Sequence, residues 1–182
     1  MIRVKRIIEL VGVLKLLPRT GWMLRGVSPC IAENVAEHSF EVALTAYLVS
    51  KALLRKGYRV DTKKVIVMAL LHDLEEAITG DIVKPVKRFL DQKLGLHVLR
   101  DLLEPEELAM LEEYYGRKGV EALVVKLADS LATLNQACRY ARQGYRDVKD
   151  LIEAVEKQID EIVRLLDGSR EVEDIVKSLR LC

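Results

Sequence analysis

The sequence predicts an all-α protein. Apolar residues recur at helical spacing along most of the 182 residues, and Gly and Pro fall between the apolar segments. No run of β-branched and aromatic residues alternates with period two, as a half-buried strand would. Half of the residues are hydrophobic and 31% are charged, which fits a packed core beneath a charged surface. This length is typical of one domain, which we expect to cover residues 1–182.

The expected helices follow from apolar spacing and from cap and stop signals. The segment 19–30 is expected to be irregular because it contains Gly and Pro, while Asn34 and Glu37 have the spacing of a capping box. Asp61 or Thr62 can cap a helix whose stretch 65–71 is apolar on every side and is therefore expected at the centre of the protein. The helices are predicted at about 2–17, 35–56, 62–78, 84–94, 105–115, 119–143, 147–166 and 174–181.

The charge balance excludes several classes of function. With 29 basic and 28 acidic residues, the chain has no net field that would attract nucleic acid or a membrane surface, so we expect neither as a partner. No apolar run reaches the 18 or so residues of a membrane span, and the N-terminus does not resemble a signal peptide. We therefore expect a cytoplasmic protein. Cys30, Cys138 and Cys182 form no CxxC pair, which predicts reduced thiols and a frayed C-terminal cysteine.

A histidine and two acids near the end of the apolar helix are candidates for chemistry. His72 and Asp73 are adjacent, and burying them without partners would cost several kcal/mol. Glu76 follows one turn later, so all three can face one site. Imidazole and carboxylate suit a divalent metal, and a nearby carboxylate suits proton transfer to or from water. The alternative is an ordinary ion pair at a helix end.

Two further residues favour the metal. His38 lies in the first turn of its helix, which is the end that the helix dipole disfavours for a cation. Asp129 lies in a long apolar helix, although Lys126 three residues earlier offers a plain salt bridge. With His72 and Asp73, these residues supply two imidazoles and two carboxylates from three helices. Such a set leaves coordination positions free for water and substrate, as catalytic metal sites require.

These residues lie in four sequence blocks, LPRTGW (17–22), ENVAEHS (33–39), HDLEEAITGDIVKPVK (72–87) and KLADSL (126–131). In order and spacing they resemble the HD-domain metal-dependent phosphohydrolases, and within them the 5'-deoxynucleotidase branch. The resemblance implies a single HD-domain helical bundle with a motif-bearing core over about 17–131 and C-terminal helices over about 145–181. It implies hydrolysis of deoxyribonucleoside 5'-monophosphates to nucleoside and phosphate.

The resemblance also implies a role for each motif residue. Glu76 would act as the acid/base on the attacking water, Arg19 would orient the phosphate as a catalytic residue, and Trp22 would lie against the sugar. Glu76 and Asp81 would hold a second ion in some relatives. The divalent ion would be Co, Mn, Mg, Zn, Ni or Fe. The implied metal ligands are His38, His72, Asp73 and Asp129, and the implied substrate contacts are Arg19, Trp22, Asp81, Ile82, Val83 and Lys84.

Simpler interpretations remain open from the residues alone. Trp22 would anchor the core, Arg19 would cap a helix C-terminus, Asp81 would be a turn residue, and Lys84 and Glu75 would be surface charges. The alternative functions are an HD-domain phosphodiesterase or nucleoside triphosphate hydrolase, and a non-catalytic nucleotide-sensing module with a structural metal. The resemblance implies a homodimer, and the apolar C-terminal helices are expected to supply its contact.

Overall fold

The all-α prediction is confirmed by the structure, a computed structural model that describes residues 2–87, 89–91 and 93–182. These residues contain no strand, and one isolated bridge joins Pro18 to Asn34. None of the described helices combines the length and the apolar run needed to cross a bilayer. In chain order they are α1 Ile2–Leu14, α2 Thr20–Met23, α3 Val35–Arg55, α4 Thr62–Leu71, α5 Glu76–Thr79, α6 Lys84–Lys87, α7 Leu94–Leu99, α8 Pro105–Gly116, α9 Gly119–Arg142, a 3₁₀ turn at Arg146–Val148, α10 Lys149–Leu166 and α11 Arg170–Leu179.

The expected caps form at two helix starts. Asn34 Oδ1 accepts the Glu37 backbone N–H at 2.9 Å, and Glu37 Oε2 accepts the Asn34 backbone N–H at 3.0 Å. This capping box opens α3 and fixes its first turn, which carries His38. The carboxylate of Asp61 accepts the Lys64 backbone N–H at 3.1 Å and opens α4 in the same way.

Helix α9 forms the centre of the fold. It packs against α3, α4, α8 and α10, and most of its length is buried. Its Ala122, Leu127, Ala128, Leu131 and Ala132 are fully buried in the main core. The small alanines allow neighbouring helices to approach closely, so Asp129 is enclosed by packed helices on several sides.

The helix predicted at 62–78 is broken in the structure. It ends at Leu71, and a new short helix begins at Glu76. In the turn between them the backbone hydrogen bonds join residues three apart instead of four, as in the bond from Leu74 N–H to the Leu71 carbonyl oxygen at 3.1 Å. The His72 side chain contributes to the break, because its Nδ1 lies 2.7 Å from the Ala69 carbonyl oxygen and competes for that acceptor.

Two other predicted segments differ in detail. The predicted helix at about 84–94 is observed as α6 over Lys84–Lys87, and α7 begins only at Leu94. The segment 19–30, expected to be irregular, contains the short helix α2. These differences are local, and they leave the order of the long helices as predicted.

The C-terminus is held against α9, which corrects the expectation of a frayed, reduced Cys182. Asn135 Nδ2 donates to the Leu179 carbonyl at 3.0 Å, and Asn135 Oδ1 accepts the Leu181 N–H at 2.9 Å. These bonds bring Cys182 to Cys138 of α9, with a Cα–Cα distance of 6.1 Å, and the two form a disulfide. Sequence reasoning missed this pairing because the two cysteines are 44 residues apart.

The disulfide predicts a redox-dependent stability. Closing a loop of 44 residues stabilises the folded state by about 4 kcal/mol in the chain-entropy treatment. We therefore expect Cys182→Ser to lower the melting temperature of the oxidised protein by roughly 10 °C, measured by calorimetry. Reductant should lower wild type to the same value and leave Cys182→Ser unchanged.

The exposed Cys30 provides the matched control. Cys30→Ser should melt like wild type under both conditions. A wild-type melting temperature that is the same with and without reductant would contradict the disulfide.

Candidate metal and phosphate site

The four predicted metal ligands lie together where α3, α4 and α9 meet. His38 Nε2 is 3.1 Å from Asp129 Oδ1 and 3.8 Å from Asp73 Oδ2, and the ring centroids of His38 and His72 are 5.6 Å apart. Ligand atoms of His38, His72 and Asp73 all lie within 4.8 Å of one another. Asp129 joins this group through its contact with His38. Three distant stretches of the chain thus supply one cluster of nitrogen and oxygen donors.

His72 has the orientation of a metal ligand. Its Nδ1 must donate to the Ala69 carbonyl oxygen, because that oxygen can only accept, so Nε2 carries the lone pair of the neutral ring. Nε2 is buried and has no hydrogen-bond partner among the described residues. Asp73 Oδ2 lies 3.1 Å away, at ion-pair distance, without completing a hydrogen bond. A buried lone pair beside a carboxylate fits a bound cation.

The charges of the cluster also fit a cation. Although burial opposes it, the neighbouring Asp73 raises the pKa of His72 to about 9. Burial would raise the pKa of Asp129, but the hydrogen bond and the charge of His38 hold it well below its usual range. The pKa of Asp73 is likewise lowered, because the positive charge of His72 outweighs the effect of burial. The cluster favours positive charge, and a divalent ion supplies it.

His38 can bind the ion through Nε2 after a change of tautomer. The ring is fully buried, and Arg19 Nη1 lies 2.9 Å from its Nδ1. Arginine can only donate, so Nδ1 accepts, and Nε2 carries the hydrogen that points to Asp129. Ligation by Nε2 requires the other tautomer, with the hydrogen on Nδ1, and Glu33 Oε1 lies 3.8 Å from that atom as an acceptor.

Arg19 lies beside the four candidate metal ligands, at the wall of a cavity. Besides His38, its Nη1 lies 3.3 Å from Glu33 Oε2 and 3.5 Å from Thr133 Oγ1. Burial would lower the pKa of the guanidinium, but the carboxylates, Glu33 first, raise it above its ordinary value. The residue is therefore a permanently charged cation in a fixed position, and it does not cap a helix C-terminus, the simpler interpretation.

Trp22 lies mainly in the core. It is 2% exposed, its indole N–H donates to Glu33 Oε2 at 3.0 Å, and its ring meets Tyr140 edge-on with centroids 5.1 Å apart. Part of the residue also lines the cavity. Glu33 thus holds both Trp22 and Arg19, a positioning role that sequence reasoning did not assign. The only sequence feature that could have indicated Glu33 was its place in the ENVAEHS block.

The loop after α5 contributes Asp81, Ile82 and Val83 to the cavity wall. Asp81 Oδ2 accepts the Thr20 backbone N–H at 2.6 Å, and Thr20 Oγ1 donates to the Asp81 carbonyl at 2.9 Å. These bonds attach the loop to the start of α2, beside Arg19. The side chain of Lys84, also predicted to contact substrate, lies outside the described residues.

Glu76 is buried beside the four candidate metal ligands. It is 4% exposed, its Oε1 lies 3.2 Å from Lys87 Nζ, and its Oε2 has no hydrogen-bond partner in the described part of the chain. Burial and then the charge of Asp73 raise its pKa to about 9. This carboxyl group is poised to bind or release a proton close to the four donors.

Glu75 was expected on the surface and is instead largely buried. Its Oε2 has no hydrogen-bond partner among the described residues, and burial followed by the charge of Asp73 raises its pKa to about 7. It faces the same cavity as Tyr115 and Gly95. A Cβ added at Gly95 would lie 2.5 Å from the Tyr115 hydroxyl and 3.3 Å from Glu75 Cγ, so a larger residue here would displace the Tyr115 side chain. The break after Leu71 turns Glu75 inward, which continuous helical spacing did not predict.

A second cation, Lys126, contacts an aromatic ring and not the carboxylate that the sequence suggested. Its Nζ is 3.5 Å from the centre of the Tyr114 ring, and no carboxylate among the described residues pairs with it. The Tyr114 hydroxyl donates to Asp129 Oδ2 at 3.4 Å. The expected Lys126–Asp129 salt bridge is therefore replaced by a lysine on an aromatic ring.

Most of these groups line one cavity of about 1500 Å³, whereas His38 and Glu33 lie behind its wall. Its wall includes Arg19, His72, Asp73, Glu76, Lys126 and Asp129. Trp22, Ile82 and Val83 add apolar surface to this wall, and further charged and polar residues complete the lining. A cavity of this size has room for a nucleotide-sized ligand with its anionic end at the charged wall.

Comparison with known proteins agrees with the geometry. Residues 11–166 match the HD domain family. The 5'-deoxynucleotidase HDDC2 of Dictyostelium discoideum is 32% identical over 76% of this chain and 77% of its own length, and human 5'-deoxynucleotidase HDDC2 is 31% identical over 73% and 66%. A conserved hypothetical protein from Pyrococcus furiosus has a similar structure, with a TM-score of 0.84 and 32% identity over 96% of this chain and 97% of that one.

The family match spans most of the chain, including every residue of the donor cluster, and the similarity to the P. furiosus structure extends over almost all of its helices. The resemblance seen in the four sequence blocks is thereby confirmed. The chain belongs to the HD-domain family, in the branch that contains these 5'-deoxynucleotidases.

Proposed function

We propose that the protein is a metal-dependent phosphohydrolase that releases phosphate from deoxyribonucleoside 5'-monophosphates. The observation that carries this proposal is the convergence of two imidazoles and two carboxylates beside Glu76 and Arg19, at the wall of one cavity. A purely structural metal would need no buried carboxyl group with a free oxygen next to it. The names of the relatives support a 5'-deoxynucleotide as substrate.

His38, His72, Asp73 and Asp129 would hold the ion. Such a mixed set of nitrogen and oxygen donors suits first-row divalent ions, which is why Co, Mn, Mg, Zn, Ni and Fe are all compatible. When bound, the ion supplies a water of lowered pKa and positive charge for the phosphate. Asp81 already accepts the Thr20 N–H, so one ion at the four-donor cluster is the arrangement that we favour over a second ion at Glu76 and Asp81.

Glu76 would handle the proton of the attacking water. Lys87 holds Oε1, and Oε2 has no hydrogen-bond partner among the described residues. As the water oxygen bonds to phosphorus, Glu76 accepts its proton, and the bond from phosphorus to the 5'-oxygen breaks. The same proton can then pass to that oxygen, so that the products are a nucleoside and inorganic phosphate. The carboxylate form that this step needs is favoured by a nearby cation.

Arg19 would orient the phosphate. A planar guanidinium presents paired N–H donors to phosphate oxygens, and Glu33 and His38 fix its position. Its charge is permanent, so it offsets the negative charge of the transferring group at any working pH.

Trp22 would restrict the sugar. Its indole N–H is already taken by Glu33, so the part of the residue that lines the cavity offers no hydrogen bond to a 2'-hydroxyl. A ribonucleotide would lose water around that hydroxyl without gaining a partner. An apolar wall alone gives discrimination of about 100-fold or less, so we expect a preference for deoxyribose and not an absolute exclusion of ribose.

We further propose that the protein is a homodimer that pairs through α3. The expected contact at the C-terminal helices is not supported, because the apolar faces of α10 and α11 are buried in the core. Instead, α3 exposes an apolar stripe: Phe40, Leu44, Tyr47 and Leu48 are 70%, 49%, 40% and 44% exposed. A contiguous exposed apolar surface of this kind is typical of an interaction site.

The charges at the ends of the stripe favour a second copy as its occupant. Exposed Glu37 and Lys51 lie seven residues to either side of Leu44 on the same helix face. If two α3 helices pair antiparallel about a two-fold axis at Leu44, Phe40 faces the partner's Leu48 and Glu37 faces the partner's Lys51. The stripe can thus pair with a second copy of itself, with apolar residues against apolar residues and acid against base, as a two-fold interface requires.

The function predicts a specific pattern of phosphate release. With a divalent ion, the protein should release phosphate from deoxyribonucleoside 5'-monophosphates faster than from ribonucleotides, and chelation should abolish this activity. The measurement is a phosphate assay over a panel of nucleotides with each of several ions. Release of pyrophosphate from triphosphates, or opening of cyclic nucleotides, with monophosphates untouched would favour the alternative enzymes. Metal-dependent stability without hydrolysis of any nucleotide would favour a sensing module.

Substitutions should separate metal binding from proton transfer. We expect Asp73→Asn to lose both bound metal and turnover, because it removes a charged ligand. We expect Glu76→Gln to keep its metal and lose about 10²- to 10⁴-fold in kcat, because only the proton acceptor is removed. Metal content by elemental analysis and kcat with a deoxynucleotide are the measurements.

Asp174→Asn, an exposed acid on α11, is the control and should resemble wild type in both. Full activity of Asp73→Asn, or loss of metal from Glu76→Gln, would contradict the assigned roles.

The dimer predicts a change of mass on disruption of the stripe. Leu44→Glu buries two carboxylates against each other at the axis, so light scattering during gel filtration should give a monomer instead of the wild-type dimer. Lys51→Glu should weaken the dimer, because it places an acid opposite the partner's Glu37.

The control is Leu165→Glu, which changes a leucine that is 54% exposed on α10, outside the stripe. This variant should remain dimeric. A monomeric wild type, or equal effects of the two leucine substitutions, would rule out the α3 interface.

A further inference from the structure

Lys126 is linked to the four candidate metal ligands through Tyr114, although it is not one of them. It precedes Asp129 by one turn of α9, and its Nζ lies 3.5 Å from the centre of the Tyr114 ring. Tyr114 in turn donates to Asp129 Oδ2 at 3.4 Å, and its ring lies 5.6 Å from that of His72. The aromatic ring therefore fixes the ammonium group beside the donors, where it lines the cavity.

The charge of Lys126 lacks a protein counter-ion. Two other cations of the cavity wall are paired: Lys87 Nζ lies 3.2 Å from Glu76 Oε1, and Arg117 Nη1 lies 2.8 Å from Glu161 Oε1. In the described part of the chain, no carboxylate lies within ion-pair distance of Lys126 Nζ. Burial lowers the pKa of Lys126 to about 8, in spite of the negative charges of Asp129 and Asp73 farther off. An enclosed cation of this kind is stabilised by any anion that enters the cavity.

We propose that Lys126 contacts a phosphate oxygen of the bound substrate, as a second cation beside Arg19. This proposal rests on the proposed phosphohydrolase function. Arg19 contacts Glu33, His38 and Thr133, whereas Lys126 lies over the ring of Tyr114. The two cations are thus held at different places in the cavity wall. A phosphate has oxygens enough for the cluster, the guanidinium and the ammonium at once, and each contact to an ionised oxygen is a charge-assisted hydrogen bond.

The residue type suits this role. An ammonium group has three donors on one nitrogen and serves as a point charge for phosphate, whereas a guanidinium would need a planar partner. Tyr114 limits the movement of the side chain, which lowers the entropy that is lost when the contact forms. The contact is with phosphate alone, so it should leave binding of the nucleoside product unaffected.

The test compares Lys126→Met with Lys118→Met. Methionine keeps the packing of the aliphatic chain and removes the charge, and Lys118 is an exposed lysine at the rim of the same cavity. Binding of inorganic phosphate to the metal-loaded protein is measured by calorimetry, together with kcat/KM for a deoxynucleotide and inhibition by the nucleoside. We expect Lys126→Met to weaken phosphate binding and to lower kcat/KM, each by roughly 10- to 100-fold. Inhibition by the nucleoside should not change, and Lys118→Met should resemble wild type.

The outcomes separate this proposal from the proposed function. Phosphate affinity of Lys126→Met within twofold of wild type, or a loss that only follows loss of metal or of melting temperature, overturns the role of Lys126. A wild type that binds no phosphate overturns it as well. A wild type that binds phosphate through Lys126 but hydrolyses no nucleotide overturns the function and leaves the contact standing.

Discussion

The site depends on the burial of two carboxylates and two imidazoles at the junction of α3, α4 and α9. Removing such groups from water is unfavourable unless charges are compensated, and two acids near each other worsen the balance. In the protein alone, the compensation comes from a proton on His72, whose pKa is raised to about 9, and from the hydrogen bond between His38 and Asp129. A divalent ion provides the same compensation with more charge. Folding of this region and metal binding are therefore linked, and His72 Nε2, which has no hydrogen-bond partner among the described residues, is the atom where an ion would replace the proton.

The broken helix after Leu71 makes this cluster possible. In a continuous helix, successive residues point about 100° apart, so the side chains of the adjacent His72 and Asp73 would diverge more than the observed contact allows. The tightened turn brings Asp73 Oδ2 to 3.1 Å from His72 Nε2 and also carries Glu76 to the cluster in α5. The hydrogen bond from His72 to Ala69 serves twice, since it helps to end α4 and sets the tautomer that leaves Nε2 free.

The long helices and the donors themselves were predictable, because their signals are local. Capping at Asn34, apolar spacing in α9 and an acid at Asp129 within it are all visible in a short window of sequence. Features that depend on contacts across the chain were not. Glu33 holds Arg19 and Trp22, Lys126 lies on Tyr114, and Cys182 reaches Cys138, and no periodicity encodes such pairings. The break at 72–75 was missed for another reason: no Gly or Pro marks it, and the competing hydrogen bond comes from a side chain whose role emerges only in the fold.

Helix α3 connects the proposed interface with the site. Its inward face carries His38, which is fully buried, and its outward face carries the exposed apolar stripe that begins two residues later at Phe40. A hydrogen-bonded helix moves largely as a unit, so pairing along the stripe would fix the position of its first turn. The other donors are held from within the chain, since α9 is packed on several sides and His72 is bonded to Ala69. The capping box and the contacts of His38 with Arg19 and Asp129 hold this first turn from within the chain. The proposed self-association would hold the same helix from its outer face, so the interface and the metal site would share one rigid element.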